Sequence, residues 1–205
     1  EALRRRFMVR GGLKPIISYV GRLNHQKGIH LIKHAIFYAL ANGCQFVLLG
    51  SSHDRDINNQ FWQLKHHLND NPDCHLDIGY NEELAHIIFA GSDMTVVPSL
   101  FEPCGLTQMI AMKYGTVPIV RETGGLADTV FDADYSHRPY EERNGYVFRD
   151  PDNAGLESAM HRAIGMWYTY PQYFRELMEN GMRYDYSWKY PGQNYLNVYE
   201  HIRDK

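Results

Sequence analysis

Between Lys14 and Gly125, short β-branched apolar runs alternate with longer segments whose apolar residues recur every three to four positions. This alternation confines the chain to βα units around a parallel sheet. The runs are Pro15 to Val20, Gln45 to Leu49, Leu76 to Ile78, Met94 to Val97 and Val117 to Val120, with Gly, Pro or Asp at their borders. They are predominantly apolar, as strands covered by helices on both faces should be. Gly28 to Asn42 is the first helix predicted between them: Leu31, Ile32, Ala35, Ile36, Ala39 and Leu40 form its apolar side, and Asn42-Gly43 supplies the stop. Asp56 to Asn69 and Glu82 to Ala90 repeat that logic. Right-handed crossovers then gather the connecting loops, and any ligand, beyond the carboxyl ends of the strands.

After Gly125 the pattern changes. Asp132 to Arg143 is polar and turn-rich, a loop by composition, and Asn144 to Phe148 resumes as a short strand. Leu156 to Trp167 and Tyr173 to Asn180 read as helices, the first capped by Asp152 or Asn153. A closing stretch, about 182–205, carries Tyr184, Tyr186, Trp188, Tyr190, Tyr195 and Tyr199. So many aromatics on a tail point to docking, either on the chain's own sheet or on a partner domain. With 205 residues and 44% hydrophobic side chains, the whole chain is expected to form one α/β domain with a sizeable core.

Twenty-one Lys and Arg against 24 Asp and Glu give a net charge of −3, which lacks the basic footprint of a nucleic-acid binder. No apolar stretch approaches the ~20 residues that would span a bilayer. Cys44, Cys74 and Cys104 are widely spaced and form no Cys-x-x-Cys pair, which speaks against a disulfide framework or zinc cage and for a reducing compartment. The opening Glu-Ala-Leu-Arg-Arg-Arg-Phe has no secretion signal and reads as a cut from something longer. Arg4-Arg5-Arg6 is expected at the end of a solvated helix, where cations meet the dipole.

Two loops carry chemistry. After the first strand, Gly21-Arg22-Leu23-Asn24-His25-Gln26-Lys27-Gly28 places two cations around a turn that opens into a helix. That is either an anion site or a solvated basic loop. After the fourth strand comes Pro98-Ser99-Leu100-Phe101-Glu102-Pro103-Cys104-Gly105-Leu106-Thr107-Gln108, leading into a helix from Met109 to Tyr114. Gly105 admits close backbone approach, and the amides around Leu106 and Thr107 turn partial positive charge outward, a second phosphate cradle. Glu102 is placed to accept hydrogen bonds from sugar hydroxyls or, alternatively, to support the helix dipole as a near-cap. Cys104 has no accompanying base and reads as a small packed thiol rather than a nucleophile. Neither Gly-x-Gly-x-x-Gly nor a P-loop occurs. His30 and His34, or His66 and His67, have spacing that a metal could use, but no carboxylate completes either set and a solvated helix face is expected instead.

Four ordered motifs, Gly21-Arg22-Leu23-x-x-Gln26-Lys27-Gly28, Phe101 to Gln108, Lys113-Tyr114-Gly115 and Thr123-Gly124-Gly125-Leu126-Ala127-Asp128-Thr129-Val130, resemble the starch and bacterial glycogen synthases. The likeness runs from about Leu13 to Asp185-Tyr186-Ser187-Trp188, and His25 to Ile36 is most similar to plant-type soluble starch synthases. The resemblance implies a Rossmann-like parallel sheet with helices on both faces, the C-terminal, donor-binding half of a GT-B glycosyltransferase. Such an enzyme transfers glucose from ADP-glucose, with retention, to an α-1,4-glucan. Its N-terminal domain, bearing a Lys-x-Gly-Gly loop, would be the partner, and no such loop occurs here. Carried over, Arg22 and Lys27 hold the ADP phosphates, Glu102 faces the glucose, and these three carry catalysis. Gly21, Cys104, Gly105, Leu106 and Thr107 border the donor, the last three donating through backbone amides. Tyr80 stacks on or flanks the adenine, and Thr123, Gly124 and Gly125 line the cleft. Compartment follows the source: plastid stroma if plant, cytoplasm if bacterial.

Many retaining GT-B transferases have a second Glu eight positions after the first; here that place is Ile110. Its absence fits the narrower family and leaves no carboxylate pair for a double displacement. Departure of ADP develops negative charge on its terminal phosphate, and Arg22, Lys27 and helix amides supply fixed positive potential there without a metal or other cofactor. Two other readings compete: a transferase using UDP- or GDP-sugars, and a nucleotide- or glucan-binding module without turnover of its own.

Overall fold

In the computed structural model of the chain, which describes residues 2–7, 9 and 11–203, a six-stranded sheet has the order β3-β2-β1-β4-β5-β6. The elements run α1 (Ala2–Phe7), β1 (Ile16–Arg22), α2 (Ile29–Ala41), β2 (Gln45–Ser51), α3 (Arg55–His67), β3 (Cys74–Ile78), α4 (Glu82–Gly91) and β4 (Met94–Val97). They continue as α5 (Thr107–Lys113), β5 (Val117–Arg121), α6 (Gly124–Thr129), β6 (Tyr146–Phe148), α7 (Asn153–Thr169), α8 (Pro171–Arg183) and α9 (Lys189–Arg203). All five strand pairings are parallel. The expected Rossmann-like sheet with helices on both faces is therefore present.

The period of two along β2 shows why both faces are covered. Phe46 and Leu48 join the larger core with α2, α3 and α7, while Val47 and Leu49 join a second cluster with Leu3, Phe7, Leu84 and Ile88 from α1 and α4. Burying each such side chain contributes about 1.5–3 kcal/mol, so a polar replacement at any of these four β2 positions conflicts with the fold. Strand order reverses at β1, whose neighbours are β2 and β4. There the Ser18 hydroxyl donates to the Met94 carbonyl at 3.2 Å and the Thr95 hydroxyl to the Ser18 carbonyl at 3.2 Å, so the two buried hydroxyls are satisfied across the seam. The loops leaving β1 and β4 diverge from this point, which opens the crevice that such sheets use for ligands.

Several local expectations are refined. Asp152, rather than Asn153, caps α7, accepting from the Gly155 amide at 2.8 Å. Arg4 is not solvated: its guanidinium donates to Gln45 Oε1 at 3.0 Å and to the Lys14 carbonyl at 2.7 Å. His34 is not simply solvated either, since its Nε2 lies 2.6 Å from Glu157 Oε1 of α7. The closing stretch divides. Tyr186 donates to the Thr129 carbonyl at 2.6 Å and packs with Val97, Met112 and Leu126, and the Tyr184 ring lies 5.6 Å from that of Phe131. Trp188, Tyr195 and Tyr199, at and along α9, remain exposed, and the side chain of Tyr190 lies outside the described residues. No helix among the described residues is long and apolar enough to cross a membrane.

Candidate functional site

The loop after β1 folds back as a single 3-10 turn, His25–Lys27, capped by the Asn24 side chain, which accepts from the Lys27 amide at 3.0 Å. Gly28 then takes φ +70°, and a Cβ there would sit 2.3 Å from the Pro98 carbonyl oxygen. Only glycine allows this approach, and it brings the β1 loop against the loop leaving β4. Two hydrogen bonds lock them: the Leu100 amide donates to the Gln26 carbonyl at 2.8 Å, and Gln26 Nε2 donates to the Phe101 carbonyl at 2.9 Å.

This seam joins two predicted site residues. Lys27 Nζ forms an ion pair with Glu102 Oε2, with only 16% and 9% of the two side chains exposed. The buried Ser99 hydroxyl donates to the same oxygen at 3.0 Å. Glu102 is thus neither a helix cap nor an open carboxylate. It is a buried anion held by one ammonium and one hydroxyl, as a charge withdrawn from water must be. Lys27 keeps two further N–H donors.

Arg22 ends β1 and is exposed, with no ion-pair partner among the described residues. Its carbonyl accepts from the Tyr19 hydroxyl at 2.6 Å. Burial pushes the Tyr19 hydroxyl well above the usual tyrosine range; the Glu102 carboxylate adds to that and the Arg22 charge opposes it. Tyr19 therefore feels the Glu102 and Arg22 charges with opposite sign.

The second cradle is built on backbone contact. At Gly125 a Cβ would fall 1.9 Å from the Cys104 carbonyl oxygen, and the Gly125 amide donates to the Glu102 carbonyl at 3.0 Å. Thr123, Gly124 and Gly125 are thereby pressed on the Glu102 to Gly105 turn. Gly124 and Gly125, expected to line a cleft with Thr123, also begin α6. Leu106 and Thr123, at the starts of α5 and α6, make no side-chain cap hydrogen bond, so first-turn amides of both helices lack that partner. Cys104 differs from expectation: the residue is exposed, and it is its backbone that packs against Gly125. Burial raises the Cys44 and Cys74 thiols to about 12, so those two are inert hydrophobes.

Gly21 pairs with Gly50 in the β1–β2 ladder below Arg22. Tyr80 stands apart, 83% exposed just beyond β3, two strands from β1. Sequence reasoning missed Ser99, three positions before Glu102, and Arg121, whose Nη1 donates to the Leu100 carbonyl at 2.8 Å and so supports the Glu102 loop from β5. Among the described residues no cluster of three His, Cys, Asp or Glu is arranged to hold a metal.

A family model described as "Glycosyl transferases group 1" matches residues 5–177. Glycogen synthase 1 of Nitrosococcus oceani is 68% identical over 203 residues, which covers 99% of this chain and 42% of that protein. Glycogen synthase 2 of Methylococcus capsulatus is 68% identical over the full chain and again 42% of its own length. Among solved structures, the catalytic domain of starch synthase IV from Arabidopsis thaliana, bound to ADP and acarbose, superposes with a TM-score of 0.95 at 39% identity, covering 100% of this chain and 42% of that one. The chain thus spans less than half the length of the relatives it matches. The expected leaning toward plant-type enzymes does not hold: these bacterial relatives are much more similar than the plant structure.

Proposed function

The chain belongs to the group 1 glycosyl transferases, and we propose that it is the donor-binding half of an ADP-glucose-dependent α-1,4-glucan synthase of the bacterial glycogen synthase type. The observation that carries this reading is the buried Lys27–Glu102 pair beside the unpaired Arg22 at the reversal point of the sheet. Arg22 and the spare Lys27 donors take the diphosphate, with Gly105, Leu106 and Thr107 adding backbone amides. As the bond from glucose to ADP breaks, charge grows on the terminal phosphate oxygen, where these fixed donors need no reorganisation. Glu102 Oε2 is engaged, while Oε1 accepts no hydrogen bond from a described residue and is free to orient glucose hydroxyls. Cys104 and Gly21 border the donor, Thr123, Gly124 and Gly125 close the cleft floor, and the exposed Tyr80 ring offers a face to the adenine. ADP in the related starch synthase structure supports the choice of nucleotide. The acceptor is an α-1,4-glucan, and the other half of the enzyme completes the cleft, with the exposed aromatics of α9 as its apolar contact. The bacterial likeness supports the cytoplasm rather than a plastid as the compartment.

Calorimetry with ADP, UDP and GDP tests the donor assignment. ADP is expected to bind at least tenfold more tightly than either rival, and Arg22→Ala to weaken ADP by at least about tenfold, since a charge-assisted hydrogen bond contributes about 1.5–3 kcal/mol. Equal binding of all three nucleotides would overturn the donor assignment. Transfer of labelled glucose from ADP-glucose by the complete polypeptide separates an enzyme from a binding module.

A further inference from the structure

A concavity of about 780 Å³ lies beside the edge strand β6, between α6, the start of α7 and the loop 131–137. Glu122 lines it and directly precedes Thr123, so the cavity adjoins the candidate donor site along β5. Its floor is apolar, formed by Val130, Phe131 and Phe148, whereas Ser136, Ser158 and Asp150 bring hydroxyls and a carboxylate. Tyr135 stands at the wall, 73% exposed, with the Arg162 guanidinium 4.8 Å from its ring centroid. The cation steadies the ring on one side and leaves the other open.

The charges decide what such a cavity accepts. Arg149 is committed to Glu122 at 2.5 Å, and Arg162 to Asp132 at 2.9 Å and Asp134 at 2.6 Å. The lining carboxylates Glu122, Asp132, Asp150 and Asp152 outnumber the cations Arg149 and Arg162, so the cavity is net negative and disfavours a nucleotide. An added peptide strand is also refused. The Val147 amide on the open edge of β6 donates to Asp132 at 2.6 Å, and the Val147 carbonyl accepts from Arg162 at 3.0 Å, which closes the edge to pairing. A ligand with an apolar C–H face, a fringe of hydroxyls and no charge meets every feature of the lining.

We propose that this cavity is a second glucan site, distinct from the donor pocket, that stacks a glucosyl ring on Tyr135 and holds the polymer beside the reacting end. The inference rests on the reading of the chain as a glucan synthase. Tethering raises the local concentration of chain ends and so lowers KM for long acceptors without touching the chemical step.

Maltoheptaose is titrated by calorimetry into the complete enzyme without donor, alongside kinetics with glycogen. Tyr135→Ala is expected to weaken one class of maltoheptaose sites about tenfold and to raise KM for glycogen comparably, while kcat and ADP affinity stay unchanged. Tyr135→Phe keeps the stack and should behave as wild type. Ser158→Trp, an exposed helix position at the mouth, should block the site independently. Unchanged maltoheptaose binding and glycogen KM in both Tyr135→Ala and Ser158→Trp overturn the cavity proposal even where ADP binding is intact. Tyr135-dependent maltoheptaose binding in a protein that fails to bind ADP would uphold the cavity and overturn the donor reading.

Discussion

Replacing Lys27 by alanine in the complete polypeptide is expected to lower kcat with ADP-glucose by roughly one to two powers of ten, because one charge-assisted hydrogen bond to departing diphosphate is worth about 1.5–3 kcal/mol. The structure adds a second cost. Lys27 also neutralises Glu102, whose carboxylate would then stay buried with Ser99 as its hydrogen-bond partner. The two losses have one origin, so a cycle of Lys27→Ala and Glu102→Gln should be non-additive by about 0.5–3 kcal/mol. Lys27→Arg keeps the charge but brings a planar fork into a slot where the lysine side chain is only 16% exposed, so partial recovery is expected. Full turnover by Lys27→Ala would remove the lysine from the diphosphate role, and additive single effects would separate it from Glu102.

That pair marks the boundary of what the sequence discloses. Each member is recognisable alone, from the loop in which it sits, but a separation of 75 positions hides their contact, and no local pattern says that Glu102 is buried. The strands were legible because fully buried strands are apolar at consecutive positions, and α2 and α4 because their apolar spacing is strong. The start of α6 was not. Gly124-Gly125 is poor helix sequence on propensity, and glycine stands at both positions because side chains would collide with the Glu102 and Cys104 carbonyls. Composition does not show how the closing stretch divides: the Tyr186 hydroxyl has a carbonyl partner in α6, at Thr129, whereas Trp188, Tyr195 and Tyr199 stay exposed.

The clearest case of information absent from local sequence is Asp132, read as the first residue of a polar loop. It is buried, and its carboxylate accepts from Arg162 twice, at 2.9 and 3.0 Å, and from the Asp134, Tyr135 and Val147 amides at 2.9, 3.0 and 2.6 Å. These bonds pin the loop 131–137 to both β6 and α7. Asp132→Ala leaves Arg162, itself mostly buried, with Asp134 as its one carboxylate partner, and is expected to cost on the order of 3 kcal/mol. At about 2–4 °C per kcal/mol for a domain of this size, the unfolding midpoint should fall on the order of 10 °C.

The sign of the acid response follows from the same contacts. Burial pushes the Asp132 carboxyl up, but the Arg162 and amide hydrogen bonds outweigh it, and the net shift is downward. A carboxyl depressed in the folded state contributes its stability above its unfolded pKa of about 3.9 and loses it as pH falls through the lower folded value. The wild-type advantage over Asp132→Asn should therefore be full near neutrality and shrink below about pH 4. A gap between the two that stays constant with pH would show that the charge of Asp132 contributes nothing and that its amide-accepting geometry alone holds the loop.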